Sequence, residues 1–342
     1  MINRLVWMET DNTYPYRNLA MEEYMTLHVP QGTCILYLWQ NRHTVVIGKN
    51  QNCWRECRVN FLEQESGYLL RRLSGGGAVF HDLGNLNFTF IVGAGDYDVS
   101  RQLDVILEAV RSLGIHAEKT GRNDITVDGR KFSGNAFYRT GDGCYHHGTI
   151  LIRADKENMS RYLNVSKEKL ASKGVTSVKS RVANLCEFKP DITLEEVKSA
   201  LVEAFSKVYG QPAVRMEEGE LPQPDIDART EKFASWQWKY GRKIPFEYEM
   251  EKRFPWGNIQ IQFHVDEGMI QDVNVFSDAM DQEMIGMLAE QLKGCAYAEE
   301  DICRAVKAVG TDAFQAGEYT GADEPQSCRI KEDIMTLVRE SL

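Results

Sequence analysis

The sequence predicts two α+β domains, a larger one first and a smaller one at the C-terminus. The chain has 342 residues, which suits roughly two domains of ordinary size. Short β-rich runs alternate with helical patterns through its first half. Near residue 259 a strictly alternating apolar pattern begins, and two helical patterns follow it. We expect the domains to span residues 1–243 and 247–342.

The first elements are a helix and two buried strands. Apolar residues at helical spacing predict a helix over 18–27, and uninterrupted β-rich runs predict strands over 34–39 and 44–47. A further helix is predicted over 99–113. Asp128-Gly129 then predicts a two-residue hairpin turn, because both central residues of a type I′ turn need φ > 0.

The clearest helix is predicted over 193–209. Thr193 and Glu196 have the spacing of a capping box, and Gly210 follows as a stop signal. The proline-containing residues 211–225 are interpreted as a surface connection. In the second domain a hairpin turning at Glu267-Gly268 is predicted, followed by helices over 281–292 and 299–309.

Composition narrows the class of protein. The net charge is −10, which argues against nucleic-acid binding. Residues 116–181 nevertheless hold 13 Lys or Arg against 7 Asp or Glu, which suggests a small anionic ligand or simply a solvated basic face. No stretch resembles a membrane span, and the N-terminus lacks signal-peptide features, so we expect a cytosolic protein without membrane contact. The eight scattered cysteines are interpreted as reduced, mostly buried thiols.

The first candidate site covers residues 71–85 and contains a glycine-rich stretch over 72–77. Gly75-Gly76-Gly77 has a high conformational entropy cost, which makes sense where backbone N–H groups must approach a ligand. No Gly-Lys-Ser/Thr follows, and the next residues have a strand pattern, so this is not a P-loop. Nor does it have the spacing of a dinucleotide fingerprint. A tight structural turn is the alternative interpretation.

The second candidate site lies around the predicted hairpin. Lys131 comes just after the turn, where a strand would hold its ammonium group in place. A fixed cation suits a carboxylate that attacks a phosphate, because it offsets charge on both groups. Asp124 has the hard oxygen ligands that Mg²⁺ prefers. A solvated surface lysine is the alternative.

Two further motifs are less informative alone. His146 and His147 are adjacent on a predicted strand, so their side chains should point to opposite sides of the sheet. With no metal-ligand spacing nearby, at most one of them is expected to line a ligand site. The second motif is the stretch 179–185, Lys-Ser-Arg-Val-Ala-Asn-Leu.

Taken together, these stretches resemble the lipoate–protein ligase family. The resemblance rests on 71–85, 121–124, 130–136, 146–151 and 174–185, on 18–23 and 44–48, and on Arg253-Phe254 with Trp256-Gly257. It extends over almost the whole chain. It implies a mixed central sheet with flanking helices, as in biotin–protein ligases. It also implies that ATP activates lipoate as lipoyl-AMP, releasing pyrophosphate, and that an acceptor lysine then takes the lipoyl group.

The resemblance also implies roles for individual residues. Lys131 is implied as the catalytic cation, in contact with lipoate and phosphate, and Asp124 as a nucleotide and Mg²⁺ contact. The implied ATP or lipoyl-AMP contacts are Arg72, Gly77, Ala78, Val79, Phe80, Asp124 and Lys131. The implied lipoate contacts are Arg72, Ser74, Gly75, Gly76, His81, Asn85, Lys131, Gly134 and His147. Apolar residues are expected to line the acyl tunnel.

The same resemblance leaves alternatives open. Octanoyl transferases of this fold use a cysteine thioester and no ATP; residues 174–178 contain no cysteine, and Cys144 is the thiol nearest the motifs. A transferase that uses preformed lipoyl-AMP or another acylated protein, and a non-catalytic lipoate carrier, are the others. The implied acceptors are lipoyl domains of 2-oxoacid dehydrogenases or the glycine-cleavage H protein. The sequence does not distinguish lipoate from octanoate.

Overall fold

The computed structural model describes residues 1–120, 124–164, 182–241, 243–310 and 326–342. The chain forms two compact units. The first comprises Met1–Ile47, Trp54–Arg71 and Ala78–Lys239, and the second Gly48–Cys53, Arg72–Gly77 and Tyr240–Leu342. The second unit therefore contains two short segments from the N-terminal half of the sequence, one of which is the glycine-rich stretch.

The first unit is built on a large mixed sheet. The strands of this unit, in chain order, are β1 (Arg4–Glu9), β2 (Thr33–Trp39), β3 (Thr44–Ile47), β4 (Tyr68–Arg71), β5 (Val79–His81), β6 (Asn85–Gly93), β7 (Glu118–Thr120), β8 (Asp124–Val127), β9 (Arg130–Thr140), β10 (Gly143–Leu151) and β11 (Ala213–Arg215). Eight of them form one sheet in the order β11-β1-β2-β6-β10-β9-β8-β7. Strand β1 is parallel to β2 and β11, and the other pairs are antiparallel. The predicted α+β class with a mixed sheet is confirmed.

A small second sheet frames the start and end of the glycine-rich stretch. Strand β3 lies in its centre, parallel to β4 and antiparallel to β5. Strand β4 ends at Arg71, just before this stretch, and β5 begins at Val79, just after it. The predicted strand after the glycines is confirmed.

Helices flank the large sheet. In the described residues before 242 they are α1 (Pro15–Leu27), α2 (Cys53–Glu56), α3 (Val59–Gln64), α4 (Val99–Ser112), α5 (Lys156–Tyr162), α6 (Leu194–Tyr209), α7 (Gln223–Ala234) and α8 (Trp236–Tyr240). The predicted capping box at α6 is confirmed: Thr193 Oγ1 accepts from the Glu196 backbone N–H at 3.2 Å, and the Glu196 carboxylate accepts from the Thr193 N–H at 2.8 Å. Gly210, at φ +72°, ends the helix as predicted.

Two local predictions need correction. Helix α1 begins at Pro15 rather than at residue 18, because proline suits the first turn of a helix, where its missing N–H leaves no bond unmade. The stretch 211–225 is not only a connection, since Ala213–Arg215 forms β11 beside β1. These residues pair with the backbone groups along the edge of β1, even though prolines flank them.

The two faces of the large sheet differ in chemistry. One face packs on α4 and α6 and forms an apolar core that includes Phe88, Phe90 and Leu201. The other face is covered in part by α1 and carries buried polar groups, among them Thr89 and His147. Buried polar groups are the more informative feature, because apolar cores are expected in any domain.

The C-terminal part of the second unit is a small α+β domain. Its elements are β12 (Tyr248–Phe254), β13 (Gly257–Asp266), β14 (Met269–Ser277), α9 (Gln282–Leu292), α10 (Glu299–Ala308) and α11 (Gln326–Ser341). The predicted hairpin between β13 and β14 is confirmed, and both turn residues, Glu267 and Gly268, have φ > 0. Strand β12 and helix α11 were not predicted; α11 contributes Ile330, Ile334 and Val338 to the core. No helix in the described ranges is both long and apolar enough to cross a membrane.

Candidate functional site

Lys131, the predicted catalytic cation, lies on the second residue of β9. Its Nζ atom is 2.6 Å from Asp124 Oδ1 on β8. Both side chains are about one fifth exposed (21% and 18%), so the ion pair is partly sheltered and still reachable from solvent. A register shift between Ile125 and Thr126 places Asp124 opposite Gly134. The structure therefore brings together three of the predicted site residues.

Gly134 provides space for this lysine. A Cβ atom on Gly134 would lie 2.5 Å from Lys131 Nζ and 2.6 Å from its Cε. The Gly134 N–H donates to Thr149 Oγ1 on β10 at 3.3 Å. Glycine at 134 thus allows the ammonium group to lie close over the backbone of its own strand, on the face of the sheet that carries Thr149.

His147 lies farther along the same face, in a buried polar cluster. Its Nδ1 atom is 2.9 Å from Glu22 Oε1 on α1, and Thr89 Oγ1 donates to the same carboxylate oxygen at 2.7 Å. Trp39 Nε1 donates to Thr89 Oγ1 at 3.0 Å. Glu22 is 0% exposed, and its Oε2 atom has no hydrogen-bond partner within the described part of the chain. Leaving a buried carboxylate oxygen unpaired is costly, which makes this cluster a candidate ligand-binding region.

His146 faces the opposite side of the sheet, as predicted from strand alternation. Its Nδ1 atom is 3.1 Å from Gln102 Oε1 on α4, and its Nε2 atom is 2.8 Å from Asn135 Oδ1. Complete burial lowers the pKa of His146 to about 3, with a smaller contribution from His147. This histidine belongs to the core and not to the candidate site.

The buried His146 predicts a loss of stability in acid. The unfolded chain binds a proton near pH 6.5, whereas the native state resists it until about pH 3, so stability falls as the pH drops through this window. The free energy of unfolding, measured with urea, should fall by about 1.4 kcal/mol per pH unit because of this one group. The His146→Gln variant should show a shallower decline between those limits. Parallel curves for the two proteins would contradict the prediction.

Two further predicted residues, His81 and Asn85, follow the glycine-rich stretch. His81 is 4% exposed, and its Nδ1 atom lies 3.3 Å from Asn41 Nδ2. Asn85 is 0% exposed, and its Nδ2 atom donates to Asn87 Oδ1 at 2.9 Å. Asn87 and Thr89 were not predicted. The sequence feature that could have identified them is the alternation of polar and apolar residues along β6. Such alternation normally indicates that the polar side of a strand faces solvent.

The predicted residues between β4 and β5 fall in both units. Within the second unit, the Arg72 guanidinium donates to Ser74 Oγ at 3.0 Å and to the carbonyls of Gly75 at 2.6 Å and Gly77 at 2.9 Å. The Gly76 N–H donates to the Ala279 carbonyl at 3.1 Å. In this arrangement Arg72 organises the triglycine backbone, and the Gly76 N–H is already bonded to protein.

Ala78, Val79 and Phe80 belong to the first unit. Ala78 and Val79 are partly exposed, whereas Phe80 is 3% exposed and its ring stacks on Tyr162, with 5.4 Å between centroids. Phe80 thus anchors β5, which fixes the position of its two partly exposed neighbours. The predicted motif residues 121–123 and 174–181 lie outside the described residues.

The arrangement suits chemistry on a negatively charged small molecule. Lys131 supplies a positioned positive charge, and the neighbouring polar face supplies buried hydrogen-bonding groups. The described residues contain no cluster of three or more His, Cys, Asp or Glu that could hold a metal by themselves. Asp124 alone could contribute one carboxylate to a cation held mainly by substrate phosphates, which is how Mg²⁺ is commonly bound.

Comparison with known proteins identifies the family. The model of the lipoyl protein ligase A/B catalytic domain matches residues 14–206, and that of the bacterial lipoate protein ligase C-terminus matches residues 243–321. P. falciparum LipL1 in complex with lipoate is 28% identical, with a TM-score of 0.81 over 97% of this chain and 99% of that one.

Two further solved structures are similar over most of this chain. A bi-partite lipoate protein ligase from Thermoplasma acidophilum, analysed with its E2 lipoyl domain, is 26% identical, with a TM-score of 0.61 over 71% of this chain and 99% of that one. A lipoate-protein ligase A bound with ATP shares the fold at 24% identity, with a TM-score of 0.60 over 70% of this chain and 99% of that one. Because the catalytic-domain model alone spans more than half of the sequence, this chain belongs to the lipoate–protein ligase family.

Proposed function

We propose that this protein is an ATP-dependent lipoate–protein ligase. In the first half-reaction a lipoate carboxylate oxygen attacks the α-phosphorus of ATP. The bond from this phosphorus to the bridging oxygen breaks, and pyrophosphate leaves. In the second, the ε-amine of an acceptor lysine attacks the acyl carbon of lipoyl-AMP. The acyl carbon–oxygen bond breaks, AMP leaves, and the nitrogen loses a proton to give the amide.

The observation that carries the proposal is the position of Lys131. A carboxylate and a phosphate repel each other, and a fixed ammonium group between them lowers the energy of the transition state. Lys131 meets this need because its strand, the space at Gly134 and the ion pair with Asp124 hold it in place. Its contribution is electrostatic and requires no covalent bond to the enzyme.

The remaining groups bind and orient. On the family motif, we assign Arg72, Gly77, Ala78, Val79 and Phe80 to the nucleotide. The lipoate contacts would be Arg72, Ser74, Gly75, Gly76, His81, Asn85, Gly134 and His147. The partly exposed Ala78 and Val79, next to the buried Phe80, suit backbone contacts to an adenylate. The buried face around His147 would hold the acyl chain of lipoate. It would also shield the nearby lipoyl-AMP anhydride from hydrolysis by water.

Mg²⁺ is the proposed activator. It would neutralise charge on the ATP phosphates, with Asp124 as the protein ligand. Asp124 fits because its carboxylate is partly exposed and close to the lysine that is assigned to the same phosphate. When the anionic substrates bind, Lys131 can interact with them instead, which leaves Asp124 available to the metal.

The acceptors are proposed to be lipoyl domains of 2-oxoacid dehydrogenases or the glycine-cleavage H protein. The T. acidophilum ligase, 26% identical to this chain, was analysed together with an E2 lipoyl domain. A small folded domain with one exposed lysine is the form of substrate that the second half-reaction requires.

A cysteine-thioester transferase is the less favoured alternative. Cys144 is 1% exposed and belongs to the apolar core on the α4 side of the sheet. Burial raises the pKa of its thiol to about 11, so very little thiolate forms at neutral pH. This thiol is therefore a poor nucleophile and faces away from Lys131.

The test is a complete reaction with purified components. The protein would be incubated with lipoate, Mg²⁺-ATP and an apo lipoyl domain, and acceptor mass would be followed together with pyrophosphate release. We expect a lipoyl mass gain with one pyrophosphate per acceptor. Mass gain from added lipoyl-AMP or an acylated donor, without ATP use, would instead identify a transferase. Tight lipoate binding without either product would identify a carrier.

A further inference from the structure

Two buried asparagines on β6 have unused hydrogen-bonding capacity. Asn85 and Asn87 are 0% and 1% exposed, and they bond to each other through Asn85 Nδ2 and Asn87 Oδ1. Asn85 Oδ1 and Asn87 Nδ2 have no hydrogen-bond partner among the described residues. Exchanging O and N in both amides would preserve the mutual bond and still leave one carbonyl oxygen and one NH₂ group unused. The pair therefore presents one acceptor and one donor in either assignment.

The amide pair lies on the same face of the sheet as Lys131. Asn87 is opposite Thr149 of β10 in the strand register, and Thr149 bonds to Gly134, beside which the Lys131 ammonium lies. Asn87 and Gly134 are thus two strand spacings apart, or about 10 Å. That separation is comparable to an extended eight-carbon acyl chain. A carboxylate at Lys131 would place the far end of its chain near Asn87.

The groups around Asn87 are also polar. Trp39 is opposite Asn87 on β2, and its indole N–H bonds to Thr89, the next residue of β6 on this face. Glu22 is bonded to Thr89, and its Oε2 atom has no hydrogen-bond partner in the described part of the chain. An acyl chain on this face would therefore have its far end in a mixed polar and aromatic environment. An unbranched alkyl end would cover these groups without bonding to them.

We propose that the Asn85–Asn87 pair selects acyl substrates whose distal end carries a polarisable heteroatom group, such as the dithiolane of lipoate, over plain alkyl acids such as octanoate. The inference rests on the proposed function and identifies the substrate class of the same site. Sulfur is a weak hydrogen-bond acceptor that packs well against aromatic rings, whereas a methyl end accepts nothing. Sites built to hydrogen-bond a substrate discriminate against analogues that leave their buried polar groups unpaired.

The primary test is direct binding measured by calorimetry, because binding does not depend on turnover. Wild-type protein should bind lipoate at least about tenfold more tightly than 5-cyclopentylpentanoate, in which CH₂ groups replace both sulfur atoms. Octanoate should also bind more weakly than lipoate. Equal affinity for lipoate and the cyclopentyl acid would overturn the proposal, and this comparison needs no variant.

Variants then locate the effect. Asn87→Leu, which is nearly isosteric, should reduce the lipoate preference about tenfold, mainly by improving octanoate binding. Gln102→Leu is the matched control, because Gln102 is also a fully buried amide whose NH₂ group has no partner among the described residues, but it lies on α4, on the other side of the sheet. It should leave the ratio unchanged. An unaltered ratio in Asn87→Leu would refute the role of this pair.

If lipoate binds selectively but no pyrophosphate forms, the ATP-dependent function fails while this inference stands.

Discussion

Replacing Lys131 with alanine is expected to slow lipoyl-AMP formation by about 10³-fold, the scale seen when one positioned charge-stabilising group is removed from an active site. The ammonium group is proposed to approach both the attacking carboxylate and the α-phosphate, so its loss should reduce kcat more than it weakens binding. Single-turnover formation of lipoyl-AMP would measure the effect.

The stability cost of this change should be small. The ion pair with Asp124 is partly exposed, and such pairs contribute little to folding. Lys207→Ala is a suitable control, since Lys207 is 70% exposed and pairs with Glu108 on a helix surface. Lipoyl-AMP formation within a few-fold of wild type in Lys131→Ala would remove this residue from the mechanism.

The second large effect is expected at Gly134. Gly134→Ala would introduce a methyl group 2.5 Å from the Lys131 ammonium, which must then move by an ångström or more. Displacements of that size at a catalytic group can cost about 10²-fold in rate. The fold should tolerate the change, because the colliding atoms belong to the far end of a flexible side chain. Activity and urea unfolding would be measured on the same preparation.

A double-mutant cycle shows whether the effect acts through the lysine. In the Lys131→Ala background, Gly134→Ala should have little further effect on adenylation, since the group it displaces is already absent. Gly95→Ala is the matched control, because a Cβ there would meet no atom within 4 Å. Additive losses in the double variant would mean that Gly134 acts by a different route, such as direct contact with lipoate.

Local rules predicted much of the fold. The capping box at Thr193, the Asp128-Gly129 turn and the opposite orientation of His146 and His147 all depend on residues near one another in sequence. Strand β11 was missed because it forms only when the distant β1 offers an open edge. Helix α11 was missed although its apolar residues pack into the core of the second unit.

The site was less predictable than the fold. Lys131 and Asp124 were both selected, but their ion pair depends on a register irregularity in the hairpin that the turn residues do not reveal. Glu22 was recognised only as part of a motif. Its burial depends on how α1 packs on the sheet, which makes the polar side of β6 an interior surface. Alternation alone would assign Asn87 and Thr89 to solvent.

The structure also gives the glycine-rich stretch a second set of contacts. A side chain at Gly75 would collide with the Ala279 and Met280 carbonyls, and the Gly76 N–H is bonded to Ala279. Sequence reasoning attributed the need for glycine to a ligand or to a tight local turn. In the described arrangement, close packing within the second unit requires it as well.

Lipoate-dependent exchange of labelled pyrophosphate into ATP tests most directly whether this protein activates lipoate with ATP. The reaction needs no acceptor protein and reports only reversible formation of lipoyl-AMP. We predict rapid exchange in wild-type protein that requires both lipoate and Mg²⁺ and is nearly abolished in Lys131→Ala. Absence of exchange in folded, lipoate-binding wild-type protein would contradict the account.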